Sequence, residues 1–181
     1  LLYHGIGDHP RTLNVPLERF EGELRAIRRA GYTTITVSEM DRLLSGGRSF
    51  PDKPILITFD DARADSFLHA DPVLERLGMK ATMFVPTSRI AEESAFHTDW
   101  ATLARFAATG RWDFQAHGHF AHDLIAVDGT GGMAEFLVNR EWLADEQRPE
   151  TQEEFVARVT ADYASCRDRL RAGVPGATVV G

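Results

Sequence analysis

The 181-residue chain holds one cysteine, Cys166. A single thiol excludes an internal disulfide and any zinc cluster built on thiolates. Its place in a helical pattern reads as a buried core thiol rather than a nucleophile. No stretch approaches the roughly 18 to 20 apolar residues that a membrane span needs. Positive charge is the minority: 20 Lys and Arg stand against 27 Asp and Glu, a formal net charge of -7. That balance argues against a nucleic-acid or anionic-membrane surface as partner. Internal repeats and low-complexity tracts are absent. So are an initiator Met and a signal peptide, and the opening on Leu1 reads as the middle of a longer polypeptide.

Hydrophobic residues make up 43% and charged residues 26% of the chain, ordinary values for a globular protein. The length suits one domain, residues 1–181, with a sizeable core. Leu1 to His4 predicts a first strand, ended by a loop from Gly5 to Pro10. Between Pro16 and Ala30, Leu17, Phe20, Leu24 and Ile27 recur at helical spacing, with Gly31 as the stop. Tyr32 to Thr36 predicts a strand, and Ser38 an N-cap for a helix through Leu44 that stops at Gly46 and Gly47. The strand Ile55 to Phe59, the helix Ala64 to Leu77 before Gly78, and the strand Lys80 to Val85 follow. Next come a helical pattern from Thr98 to Ala108 and a strand from Trp112 to Ala116. Strands alternating with helices of about ten residues give βαβ units, hence an α/β fold with a mostly parallel sheet or barrel.

Asp128 to Gly132 reads as an exposed, flexible loop, and Arg140 to Pro149 as polar and mixed. Glu153 to Arg171 predicts a long amphipathic helix with Phe155, Val159, Tyr163, Cys166 and Leu170 on its apolar stripe. Ala177 to Val180 begins another strand. A barrel needs closing strands beyond that point, so this stretch reads as an incomplete barrel.

The chemistry concentrates in two places. The apolar run Leu56-Ile57-Thr58-Phe59 ends at Asp60 and Asp61, where a parallel α/β sheet presents its ligands. Two adjacent anions raise each other's pKa unless a cation neutralises them. One carboxylate on a metal ion, with the other free beside it, satisfies that constraint. An Asp capping the following helix through open backbone N–H groups satisfies the residues equally well.

The second place is His117-Gly118-His119-Phe120-Ala121-His122, three of the seven histidines. In a continued strand, His117 and His119 would share a face and His122 would oppose them. On a helix, His117 and His122 would diverge by about 140° at 3.6 residues per turn. Gly118 indicates a turn that can bring His117 and His122 back toward one point. Two neutral imidazoles and a carboxylate, with room for water, are typical of catalytic zinc. The same ligands serve non-haem Fe(II) oxygenases, but on antiparallel sandwiches rather than βαβ units.

With these residues in view, the chain resembles the polysaccharide deacetylases, carbohydrate esterase family four. Thr58-Phe59-Asp60-Asp61 matches the first motif of that family, and His117 with His122 the second. Tyr3-His4, Gly31-Tyr32, Ala81-Thr82-Met83-Phe84-Val85 and Gly110-Arg111-Trp112 agree around them. The five-residue spacing of the outer histidines, and the segment from Glu150 to Leu170, look like the branch that deacetylates poly-β-1,6-N-acetylglucosamine in biofilm matrices.

The resemblance implies an irregular (β/α) barrel and a metal-dependent hydrolase that removes N-acetyl groups from a hexosamine polysaccharide. Asp60 would be the general base, and Asp61, His117 and His122 the ligands of a divalent metal. Zn2+ is the expected ion, with Co2+, Ni2+ and Fe2+ as alternatives. His119 would replace one ligand or hydrogen-bond behind it, and His4 would line the pocket. The partner would be an acetylated hexosamine glycan and the location extracytoplasmic, in the periplasm or at the cell surface. Chitin oligomers, peptidoglycan and acetylated xylan are the rival substrates, and a glycan-binding module without catalysis is the rival class. Two departures stand out. Ala62 replaces the Gly that usually follows the Asp pair, a change that suits a negative φ. The later motifs, which carry a base-orienting arginine, a tyrosine-bearing turn and a general-acid histidine, would lie beyond Gly181.

Overall fold

The run Ala81-Thr82-Met83-Phe84-Val85 builds one of the two inner strands of a four-stranded parallel sheet. The computed structural model describes residues 1–8, 13–46, 49–90 and 96–180. In chain order the strands are β1 (Leu2–Tyr3), β2 (Gly5–Ile6), β3 (Asn14–Val15), β4 (Thr33–Ile35), β5 (Pro54–Leu56) and β6 (Thr58–Phe59). They continue with β7 (Ala81–Val85), β8 (Trp112–Ala116), β9 (Leu124–Ala126), β10 (Met133–Glu135), β11 (Trp142–Leu143) and β12 (Arg148–Pro149). The helices are α1 (Leu17–Arg29), α2 (Val37–Leu44), α3 (Ala64–Leu77), α4 (Trp100–Ala107) and α5 (Gln152–Gly173), with a 3-10 turn at Thr87–Arg89.

The main sheet runs β1-β6-β7-β8, all parallel, and β4 pairs with β5 in a separate parallel ladder. Helices alternate with these strands, as the βαβ pattern requires, so the α/β class holds. Among the described residues the sheet is open: β1 and β8 are its two edges and do not pair. Two small antiparallel pairs, β9 with β10 and β11 with β12, precede α5. The second of these is the ordered form of the polar stretch from Arg140 to Pro149.

One core lies between sheet and helices. Phe20, Phe59, Phe114, Ile6, Leu24, Ile57, Leu74 and Met83 are among its fully buried members. Aromatic rings meet edge to face, Tyr3 on Phe20 at 5.0 Å and Phe59 tilted on Trp112 at 5.2 Å. Such pairs add about 0.5–1.5 kcal/mol beyond the area they bury. Cys166 is buried, with its thiol donating to the Val85 carbonyl at 3.3 Å. It is a core thiol, as its helical position predicts.

Several expectations need correction. The run from Ile55 to Phe59 is two strands, because Ile57 is where pairing passes from β4 to the main sheet. Gly5 and Ile6, expected in a loop, pair with Asn14 and Val15. A Cβ at Gly5 would lie 2.3 Å from the Arg63 guanidinium, so glycine is required by that approach. His9, Pro10 and Gly47 lie outside the described residues. The α2 cap is Thr36, not Ser38: its side chain accepts from the Glu39 N–H and the Glu39 carboxylate accepts from the Thr36 N–H. Ser38 is instead buried, with its Oγ 2.6 Å from Asp113 Oδ1. On α5 the buried line runs through Asp162, Cys166 and Leu170, spaced four apart, and Tyr163 is exposed.

Ala177 to Val180 forms no strand ladder. The Gln115 side chain takes over that pairing, donating to the Thr178 carbonyl at 3.0 Å and accepting from the Val180 N–H at 2.9 Å. Gln115 also donates to Asp113, whose carboxylate accepts from the Ser38 N–H. Replacing Gln115 by Leu keeps the volume but strands these partners in a buried place. Gln115→Leu is expected to lower stability by about 1–3 kcal/mol, read as a lower urea midpoint with an unchanged slope.

Candidate metal centre

The doublet sits where β6 ends, and the backbone there is unusual. Asp61 has φ +73 and Ala62 φ +49, two consecutive residues in the left-handed region. In a continued strand Asp60 and Asp61 would point to opposite faces. The left-handed turn swings Asp61 round, so both carboxylates face one imidazole. His117 Nε2 lies 3.9 Å from Asp60 Oδ2 and 3.8 Å from Asp61 Oδ1. Ala62 therefore does not take the negative φ that its substitution for glycine invites. It is fully buried and holds a conformation that costs an L-residue roughly 1–2 kcal/mol. Arg63, also buried, follows and donates to Asn14 Oδ1 at 2.7 Å and to Asp65 Oδ1 at 3.0 Å. These bonds hold the exit of the turn.

The capping alternative fails on geometry. Helix α3 has Arg63 at its N-cap and no side-chain cap hydrogen bond. Neither carboxylate is spent on the helix.

The histidines arrive from the end of β8. Gly118 has φ +80, and the loop after it folds back until the rings of His117 and His122 lie 4.5 Å apart between centroids. His122 Nε2 is 4.0 Å from Asp61 Oδ1. One ligand atom each from Asp61, His117 and His122 lies within 4.8 Å of the others. Two ligands each about 2.1 Å from a tetrahedral ion stand roughly 3.4 Å apart, so this set fits a small divalent cation. Exposure rises across the cluster, from 16% of the Asp60 side chain to 42% of His122. The site thus opens to solvent on the His122 side.

Electrostatics agree with that use. Burial pushes the His117 imidazole below its ordinary range, against the pull of Asp60. That shift favours the neutral imidazole, the form a metal ligand requires. Burial pushes the Asp60 carboxyl up, opposed by His117 and His4 and reinforced by Asp61. His4 Nε2 stands 3.8 Å from Asp60 Oδ2, so His4 joins the cluster from the amino-terminal strand.

His119 is not in the three-residue group. It is buried, with Nδ1 2.9 Å from Thr87 Oγ1, and burial lowers its pKa. It supports the loop from behind. The Thr87 N–H donates to the Gly118 carbonyl and the Ser88 N–H to the His119 carbonyl. On the other side, Asp162 of α5 accepts from the His119 and Phe120 N–H groups at 2.8 and 2.6 Å. The sequence reading missed Thr87 and Asp162. Asp162 had a signal, an acid four residues before buried Cys166; Thr87 after Pro86 had none.

Known proteins resemble this chain in sequence and in fold. YxkH of Bacillus subtilis (strain 168) is 39% identical over 85 residues, 47% of this chain and 30% of that protein. The poly-beta-1,6-N-acetyl-D-glucosamine N-deacetylase of Escherichia coli (strain K12) is 21% identical over 189 residues, 95% of this chain and 28% of that protein. The chain thus spans less than a third of the length of either relative. The solved BpsB deacetylase domain from Bordetella bronchiseptica superimposes with a TM-score of 0.76 at 24% identity, over 98% of this chain and 71% of that one. That last likeness is one of fold. The family model for polysaccharide deacetylases matches residues 47–172, most of the chain, and the protein belongs to that family.

Proposed function

We propose that this chain is the catalytic unit of a metal-dependent N-deacetylase acting on poly-β-1,6-N-acetylglucosamine. The observation that carries the reading is the meeting of Asp61, His117 and His122 around one point, with Asp60 beside them and outside the set. Two imidazoles and a carboxylate suit Zn2+ best, and Co2+, Ni2+ or Fe2+ acceptably. The name of the E. coli relative, matched along 95% of this chain, supports the choice of glycan. A substrate of that class belongs outside the cytoplasm, at the cell surface or in the periplasm, and ties the enzyme to biofilm matrix.

A cation held by the three ligands supplies Lewis acidity to water and to the acetyl carbonyl. Asp60, 3.9 Å from His117 Nε2 and outside the ligand set, would accept the proton of the attacking water. As the amide C–N bond breaks, acetate leaves and the sugar amine needs a proton. His4, beside Asp60, lines the pocket. The proton that Asp60 takes from the water is the one the departing amine requires, so the hydrolysis balances.

Acetate release from β-1,6-linked N-acetylglucosamine oligomers tests the scheme. Asp60→Asn is expected to lower the rate at least about 10²-fold, the usual worth of a general base, while metal content stays unchanged. His117→Ala is expected to lose bound metal and activity together. A protein that still releases acetate after exhaustive chelation would refute the metal-dependent scheme.

A further inference from the structure

We propose that Asp162 is a positioning residue for the metal centre, which it serves by clamping the backbone between the two ligand histidines. This role rests on the metal reading above. Asp162 projects from α5, a helix that contributes none of the three ligands. It is 6% exposed, so its carboxylate is withdrawn from water. A carboxylate in such a place needs partners, and it has two main-chain donors, the N–H groups of His119 and Phe120. Both belong to the segment whose curvature decides whether His122 can turn back to His117.

The fit is close. A Cβ at Gly118 would stand 2.9 Å from Asp162 Oδ2 and 2.2 Å from the Ala121 Cβ. Carboxylate, loop and glycine are thus matched to one another, and φ +80 at Gly118 admits glycine with least strain. The 3-10 turn holds the opposite edge of the loop through the Gly118 and His119 carbonyls. Carbonyls are bound from one side and N–H groups from the other. Removing the acceptor on the α5 side frees the loop to relax, and the two imidazoles lose their fixed separation. Partners that hydrogen-bond a metal ligand directly commonly change affinity by 10- to 100-fold when lost, and a clamp on the backbone between two ligands is expected to act on the same scale.

Asp162→Asn presents an amide donor to one of two N–H donors at nearly constant volume. Two readouts on the purified protein test the role: amide exchange at His119 and Phe120 without metal, and cobalt affinity from its visible absorption. Exchange at the amide that loses its acceptor is expected to quicken at least tenfold, and cobalt affinity to fall 10- to 100-fold. Glu150→Gln is the control, because Glu150 is equally buried and binds Arg158 on the same helix without touching the histidine loop. It is expected to leave cobalt affinity within twofold of wild type. Equal cobalt affinity of Asp162→Asn and wild type overturns this role alone, as does an equal loss in Glu150→Gln. Failure of the wild type to bind cobalt overturns the metal reading and this role together.

Discussion

Repulsion between neighbouring carboxylates is the constraint to which the rest of the molecule answers. Asp60 and Asp61 each bring an oxygen within 3.9 Å of the same His117 nitrogen. Two like charges about 4–8 Å apart in a partly buried site repel by roughly 2–4 kcal/mol. A domain's whole net stability is about 5–15 kcal/mol, so the arrangement costs a substantial share of it. Nothing in the packing requires two acids there, since α3 starts without them. Their placement fits the proposed chemistry, in which a cation would repay the repulsion and the second acid would handle protons.

The fold supplies the positions by dividing the labour. Parallel strands bring the ends of β6 and β8 to the same edge, one strand apart, because β7 pairs with both. Loops after those ends then turn inward by left-handed residues. Helix α5, remote from both in sequence, braces the histidine turn with Asp162 and buries Cys166 against β7. The insertion before α5 is tied to that helix by Arg158, which pairs with Glu150 and reaches the Phe136 and Asn139 carbonyls. One half-buried guanidinium thus joins the helix to three backbone and side-chain acceptors before it.

Much of this was legible from local pattern. Helix α3 has the bounds its periodicity predicts, because Gly78 takes the left-handed cap that ends it. Strand β8 and the return of the histidine loop were legible for the same kind of reason, a glycine at the point of turning. What escaped was non-local. Whether Ile57 continues a strand or switches partners depends on β4 and β1, which no window around it contains. Ser38 looked like a cap because the rival claim on it, Asp113, lies 75 residues away. Tyr163 fitted the apolar stripe by period alone; the facing loop needed an acceptor, and α5 turns Asp162 inward to supply it.

Consecutive left-handed residues at 61 and 62 carry a consequence for variation at this turn. Branched side chains crowd their own backbone at positive φ, so Val, Ile or Thr at either place would unbend the chain before any chemistry was lost. Asx-type residues and glycine endure that conformation best. The choice of aspartate over glutamate at position 61 is therefore conformational as well as chemical: the shorter acid is the one that can both bend the chain and face the imidazoles.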